Sequence, residues 1–135
     1  MTKTPRREAF EILLKIEKDK AYSNLALDSA VRENSPDSAD RAFISRLVYG
    51  VTERKITLDY IFSRYLKKNS AKLSPEVLTV LRLGTYQLIF LDKVPSSAAV
   101  NESVKLANIY CKYASGLVNA VLRRVSESGN DYLLS

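Results

Sequence analysis

Histidine is absent from this chain, so the commonest general base and the commonest metal ligand are both missing. There is one cysteine, Cys111, which excludes an internal disulfide and fits a reducing compartment. Four glycines and four prolines in 135 residues argue against a loop-rich or disordered chain. No apolar run reaches the roughly 20 residues that a membrane span needs. The most apolar segment, 77–91, is interrupted by Arg82 and Gln87. Lys3, Arg6 and Arg7 make the N-terminus basic, but no apolar signal region follows them. These absences predict a cytoplasmic protein with no membrane partner.

What is present suits one folded domain. The hydrophobic content is 46%, enough for a core, and helix formers dominate. The formal net charge of +6 favours polyanionic partners, nucleic acid first.

The stretch from Ser74 to Leu91 organises the rest. Ser74-Pro75-Glu76 is a helix start, since the Ser oxygen can accept a free N–H and Pro suits the first turn. Residues 77–91 are then apolar round most of a helix. Glu76, Thr79, Arg82 and Tyr86 form a polar stripe. A helix so apolar belongs at the centre of a bundle. Gly84 is expected to let a neighbouring helix approach.

Upstream, Thr4-Pro5 opens a helix to about Lys20, with Ala9, Phe10, Ile12, Leu13 and Ile16 at helical spacing. Lys3, Arg6 and Arg7 crowd its positive dipole end, which is unfavourable for the helix and favourable for a bound anion. A short second helix is predicted from Asn24 to about Arg32, and 33–37 reads as a loop. Ser38 is the expected cap of a third helix, carrying Phe43, Ile44, Leu47, Val48 and Val51. Thr57 is the cap candidate for a fourth, with Leu58, Ile61, Phe62, Tyr65 and Leu66. These two can be separate helices or one bent rod.

Downstream, Ser96 or Ser97 starts a sixth helix to about Cys111. Val100, Val104, Ala107 and Cys111 share one face, widened by Leu106, Ile109 and Tyr110. A seventh, about Gly116 to Ser126, turns Val118, Val121, Leu122 and Val125 inward. Arg123 and Arg124 are placed in its last turn. The prediction is an all-α bundle of about seven short helices around the 77–91 helix, over residues 1–127, with 128–135 a tail or the start of a linker.

Two segments carry a resemblance. One is Leu81-Arg82-Leu83-Gly84-Thr85-Tyr86-Gln87-Leu88, followed by Val94-Pro95. The other is Ala98-Ala99-Val100-Asn101-Glu102-Ser103-Val104-Lys105-Leu106-Ala107, followed by residues 116–124, Gly-Leu-Val-Asn-Ala-Val-Leu-Arg-Arg. Tyr22-Ser23-Asn24-Leu25, Asp40-Arg41-Ala42-Phe43 and Leu47-Val48-Tyr49-Gly50-Val51 add to it. The chain resembles the NusB fold family over nearly its whole length. It is most similar to the N-terminal domain of the bacterial small-subunit rRNA (cytosine-C5) methyltransferases.

The family has two branches, a stand-alone antitermination factor that binds boxA RNA with a ribosomal protein, and this helical domain ahead of a methyltransferase. The antiterminator pattern has Glu where this chain has Gln87, Gly where it has Ala120 and an acidic residue where it has Arg123. The resemblance therefore favours the methyltransferase branch. It implies rRNA as a partner, a catalytic domain in cis, and S-adenosylmethionine as the cofactor of that other domain. A ribosomal protein remains a candidate partner.

The chain itself does not read as an enzyme. The implied chemistry uses two cysteines, and this chain has only Cys111, on an inward helical face. No strand with a Gly-rich loop is present, and no metal-ligand spacing appears. Lys3, Arg6, Arg7, Arg123 and Arg124 are the candidate phosphate contacts, a solvated basic surface being the plain alternative. Lys67, Lys68 and Lys72 read as connector lysines. Asn101 and Asn119 read as amides bonded at helix junctions, and Tyr49 and Tyr86 as packing rather than base stackers. Two functions stay open: an RNA-docking accessory domain, and a protein-interaction module that packs on a catalytic domain or a ribosomal protein.

Overall fold

The central helix begins where its capping chemistry dictates. Ser74 Oγ accepts from the backbone N–H of Val77 at 3.3 Å, and Pro75 takes the first helical position, where it has no N–H to lose. The computed structural model describes residues 3–20, 28–30, 32, 37–67 and 72–128. Its helices are α1 (Pro5–Asp19), α2 (Ser38–Glu53), α3 (Lys55–Ser63), α4 (Pro75–Phe90), α5 (Ser96–Tyr110) and α6 (Ser115–Ser128), with a 3-10 turn at Lys112–Ala114 before α6. Among the described residues there is no strand. Residues 28–30 and 32 are helical, while the rest of the predicted second helix lies outside the described residues.

Helix α4 is the hub, and every other helix packs on it. Its residues 79–87 are all buried. The expected polar stripe is therefore enclosed rather than wet: Thr79, Arg82 and Tyr86 are 2%, 8% and 6% exposed. Thr79 and Arg82 are each satisfied inside the fold. Thr79 Oγ1 donates back to Pro75 O at 2.7 Å. Arg82 donates from Nε and Nη2 to the two carboxylate oxygens of Asp59 on α3, at 2.7 and 2.8 Å, and from Nη1 to Glu17 on α1 at 2.5 Å. Desolvation alone pulls the guanidinium's pKa down, but the two carboxylates more than reverse it and hold it above its usual value. Glu17 shows the mirror image: burial raises its carboxyl, and Arg82 and Lys20 pull it below the usual range. One charged cluster thus ties α1, α3 and α4 together.

Two glycines make the close approaches. A Cβ on Gly84 would lie 2.6 Å from Leu122 of α6 and 2.8 Å from Ser103 Oγ of α5, so α4 meets both helices there, as expected. A Cβ on Gly50 would fall inside the Tyr86 ring. Gly50 is thus a packing requirement of α2 against α4, beyond the helix weakening that its sequence position suggests.

Several boundaries differ from the sequence reading. Asp37, not Ser38, caps α2: its Oδ1 accepts from Ala39 N at 2.8 Å and Asp40 N at 3.2 Å. The carboxylate reaches two free N–H groups and leaves Ser38 as the first helical residue. Helices α2 and α3 are separate and meet at Arg54, so Thr57 lies inside α3 and caps nothing. Ile109, expected to widen the inward face of α5, is 53% exposed. Helix α6 runs on to Ser128, so Arg123 and Arg124 sit a turn before its end and gain nothing from the dipole there. Its inward face, Val118, Val121, Leu122 and Val125, is as expected.

Candidate nucleic-acid interface

Helices α5 and α6 lie side by side, and their outer faces leave a polar groove of about 760 Å³. Asn101, Lys105 and Asn108 of α5 face Gly116 and Asn119 of α6 across it, and Arg6 of α1 reaches its edge. A second hollow of about 330 Å³ is lined by Ser96, Ser97, Asn101, Arg123 and Glu127. Asn101 lines both, so the two form one continuous surface.

The five candidate phosphate contacts divide into three groups. Arg6 and Arg123 border this surface from opposite ends. Arg6 Nε donates to Gln87 Oε1 at 2.7 Å, and its guanidinium lies 5.3 Å over the Phe43 ring. Gln87 is held in turn, donating from Nε2 to Leu83 O at 3.1 Å. Arg123 Nε donates to Asn119 Oδ1 at 3.1 Å. Both arginines are thus oriented by neutral amides, which fix the side chain without an ion pair, although Glu127 lines the same hollow as Arg123. Among the described residues neither has a carboxylate within ion-pair distance.

Lys3 and Arg7 are differently placed. Both meet Glu11, Lys3 at hydrogen-bond distance and Arg7 at 3.9 Å, and Arg7 Nε also donates to Tyr110 Oη at 2.9 Å. Tyr110 Oη donates to Glu11 in a short hydrogen bond. Burial raises the Glu11 carboxyl, and the contacts with Lys3 and Tyr110 outweigh it and hold the pKa low. The anion that the crowded N-terminus calls for is therefore supplied in part by the chain itself. Arg124 lies elsewhere, 5.1 Å over the Tyr65 ring at the end of α3.

Asn101 is exposed in the groove instead of bonded at a junction, because α5 turns that face away from α4. Lys105, which pairs with Glu102 at 2.9 Å, and Asn108 also line the groove. Neither is among the candidate phosphate contacts that the sequence suggests. Their signal was there: 98, 101, 105 and 108 repeat at helical spacing with no large apolar side chain. Tyr86 is buried under Arg54, and the Tyr49 hydroxyl donates to Asp28, so both are packing residues. That bond, together with burial, pushes the Tyr49 pKa up to about 12. Lys67 and Lys72 are exposed, and Lys68 lies outside the described residues.

The described residues do not fit S-adenosylmethionine. Gly50 and Gly84 are packed against side chains, Gly116 lies in the first turn of α6, and no strand leads into a glycine loop among them. Cys111 is 3% exposed and its thiol is pushed up by burial and then by Glu76, which makes it a poor nucleophile. No group of three or more metal-ligating side chains occurs among the described residues, and none of their helices is long and apolar enough to cross a membrane.

Comparison with known proteins places this geometry in a lineage. The chain is 40% identical over 131 residues to a probable ribosomal RNA small subunit methyltransferase B of Bacillus subtilis, covering 96% of this chain and 29% of that protein. It therefore spans under a third of the length of such relatives. It is 34% identical to the transcription antitermination protein NusB of Ruminiclostridium cellulolyticum, covering 90% of this chain and 86% of that one. The solved structure of T. maritima NusB superposes with a TM-score of 0.82 at 28% identity, covering 94% of this chain and 93% of that one. The NusB family profile matches residues 3–127, and the chain belongs to the NusB family.

Proposed function

We propose that this chain is a non-catalytic RNA-docking domain of the kind found in rRNA (cytosine-C5) methyltransferases, and that the α5/α6 surface is where the RNA backbone lies. The observation that carries the reading is the pair of arginines without an ion pair among the described residues, Arg6 and Arg123, each oriented by a neutral amide at an end of one surface. Such cations bind phosphate and release counterions, which gives affinity that is salt-dependent and largely indifferent to sequence. The exposed amide of Asn101 and the Asn108 side chain add hydrogen-bonding capacity between them.

The same two sites distinguish the family's branches. A glutamate at position 87 would face Arg6 as an ion pair, and an acid at position 123 would replace a cation with an anion. The first change removes one unit of positive charge and the second removes two. The present residues thus keep this surface cationic where the antiterminator pattern would not. That favours the methyltransferase reading, with rRNA and a catalytic domain in cis as partners and S-adenosylmethionine bound by that domain. The family likeness to antitermination proteins supports a second reading, boxA RNA binding together with a ribosomal protein.

Anisotropy titrations of the chain with small-subunit rRNA fragments and with a boxA RNA, over a series of salt concentrations, test the proposal. It expects binding to rRNA fragments that weakens steeply with salt, with no boxA preference. Binding only to boxA RNA in the presence of a ribosomal protein favours the second reading. Salt-independent binding or none overturns both.

A further inference from the structure

A third cavity lies outside the α5/α6 surface. It has a volume of about 340 Å³ and sits between α2 and the turn that joins α4 to α5. Its walls are Phe43 of α2, Phe90 of α4, and Leu91 and Val94 of the turn, and Arg46, Asp92 and Lys93 complete its lining. That size is at the lower end of the roughly 300–1,000 Å³ range of small-molecule sites.

Three features narrow what it takes. First, the walls are aromatic and aliphatic, an apolar lining that can take a planar ring beside the contacts its aromatics already make, Arg6 over Phe43, and Tyr86 and Arg54 against Phe90. Second, Arg46, Asp92 and Lys93 are exposed and have no ion pair among the described residues. Two cations against one carboxylate leave the lining net positive by one, which suits a ring that carries a phosphate. Third, one side chain reaches from the RNA surface to a wall of the pocket: Arg6 borders the α5/α6 groove, and its guanidinium lies 5.3 Å over the Phe43 ring. A phosphate at Arg6 therefore lies beside the pocket's Phe43 wall.

We propose that this pocket receives one unpaired base of the bound RNA, with the flanking phosphates on Arg46 and Lys93. The inference rests on the RNA-docking reading and deepens it: the ligand is an RNA with a bulged or single-stranded nucleotide, in preference to an uninterrupted duplex. Placing an already unpaired base costs little unstacking, so the preference is for RNA in which the base is already out of the helix.

The test uses the full chain and two RNA hairpins of equal length, one with a continuous stem and one with a single bulged 2-aminopurine. The bulged hairpin is expected to bind at least about five-fold tighter, with a change in 2-aminopurine fluorescence on binding, as a sequestered base requires. The double variant Arg46→Gln, Lys93→Gln is expected to remove that preference while changing affinity for the continuous hairpin less than about two-fold. Both side chains are exposed, so the fold is not at stake. Val94→Trp, which fills the pocket, is expected to abolish the fluorescence change. Equal affinity for the two hairpins, still dependent on Arg6 and Arg123, overturns this inference and leaves the docking proposal standing. No binding to either hairpin overturns both. A bulge preference that survives both variants also overturns it, as does loss of binding to a catalytic domain on Val94→Trp with the fluorescence change intact, which would assign the pocket to a protein side chain.

Discussion

Arg82 and Arg6 are both donors into the centre of this bundle, and they put their charge to opposite uses. Arg82 has a carboxylate on each side, Asp59 and Glu17, and its side chain is 10% exposed. Its charge is consumed inside the fold. Arg6 reaches the same helix and finds Gln87, an amide. Its geometry is fixed by one hydrogen bond and the Phe43 ring, and no carboxylate pairs with it among the described residues. A buried cation with anionic partners is structural, whereas one held by a neutral group is available to a ligand. Arg123 on Asn119 repeats the second arrangement.

The largest effect is expected where the internal pairing is broken. Arg82→Met takes the guanidinium from both carboxylates, leaving Glu17 to Lys20 and Lys55 and a partly exposed Asp59 without its cation. Removing one partner of a fully buried pair costs about 3–5 kcal/mol, and solvent access to Asp59 lowers the loss to about 2–3 kcal/mol. Chemical denaturation should show that loss, while RNA affinity under native conditions stays within about two-fold. A loss below about 1 kcal/mol would show that the cluster is solvated and that the contrast with Arg6 is false.

Gly84→Ala comes next, because the glycine lies beneath the α5/α6 surface. The added Cβ drives Leu122 and Ser103 apart, and overpacking of this kind costs about 1–3 kcal/mol. Since those residues sit on the two helices that form the groove, RNA affinity should fall along with stability. An unchanged affinity would uncouple the groove from the core.

Arg6→Gln combined with Arg123→Gln attacks the other half of the comparison. Affinity for rRNA fragments should fall by about ten-fold or more, and the salt dependence should flatten by about two phosphate contacts. Thermal stability should fall by no more than about 1–3 kcal/mol, the cost of depriving the buried Gln87 Oε1 of its donor, because neither arginine holds a carboxylate. A large loss of stability with unchanged RNA binding would reverse the assignment.

Acid titration separates the two arrangements further. The Glu17 carboxyl is held below its unfolded value by Arg82 and Lys20 against the cost of burial. A depressed carboxylate stabilises the fold above its unfolded pKa and loses that contribution as pH falls through the folded one. Denaturation midpoints should therefore fall on acidification below the ordinary carboxylate range, less steeply in Arg82→Met than in the wild type. Equal slopes would remove Glu17 from the account.

The smallest effect is expected at Thr85, which is fully buried and whose hydroxyl has no hydrogen-bond partner among the described residues. Thr85→Val removes an unsatisfied polar atom at almost constant volume and should leave stability unchanged or raise it by up to about 1 kcal/mol. A clear loss of stability would mean that the hydroxyl has a bonded partner, such as a buried water.

Local pattern revealed much of this. The apolar spacing of α1, α2, α3 and α6 marks their buried faces, and Ser74-Pro75 marks the start of the hub. These depend on the helical period and on the nearest few residues, so they are legible along the chain. Where the reading went astray, a competing local group had won, as when the Asp37 carboxylate reached two N–H groups ahead of Ser38. The exposed side of α5 was misread because Asn101 looks the same in sequence whether it faces a neighbour or water.

Sequence patterning alone sufficed for a helical bundle, its central rod and a surplus of positive charge. It could not say which cations that surplus leaves available. That depends on partners far away along the chain: Gln87 for Arg6, Asp59 and Glu17 for Arg82. Electrostatic pairing falls off within a few ångströms in space and is blind to separation in sequence. Packing alone decides that Arg82 is spent in the interior while Arg6 and Arg123 keep their charge at the rim.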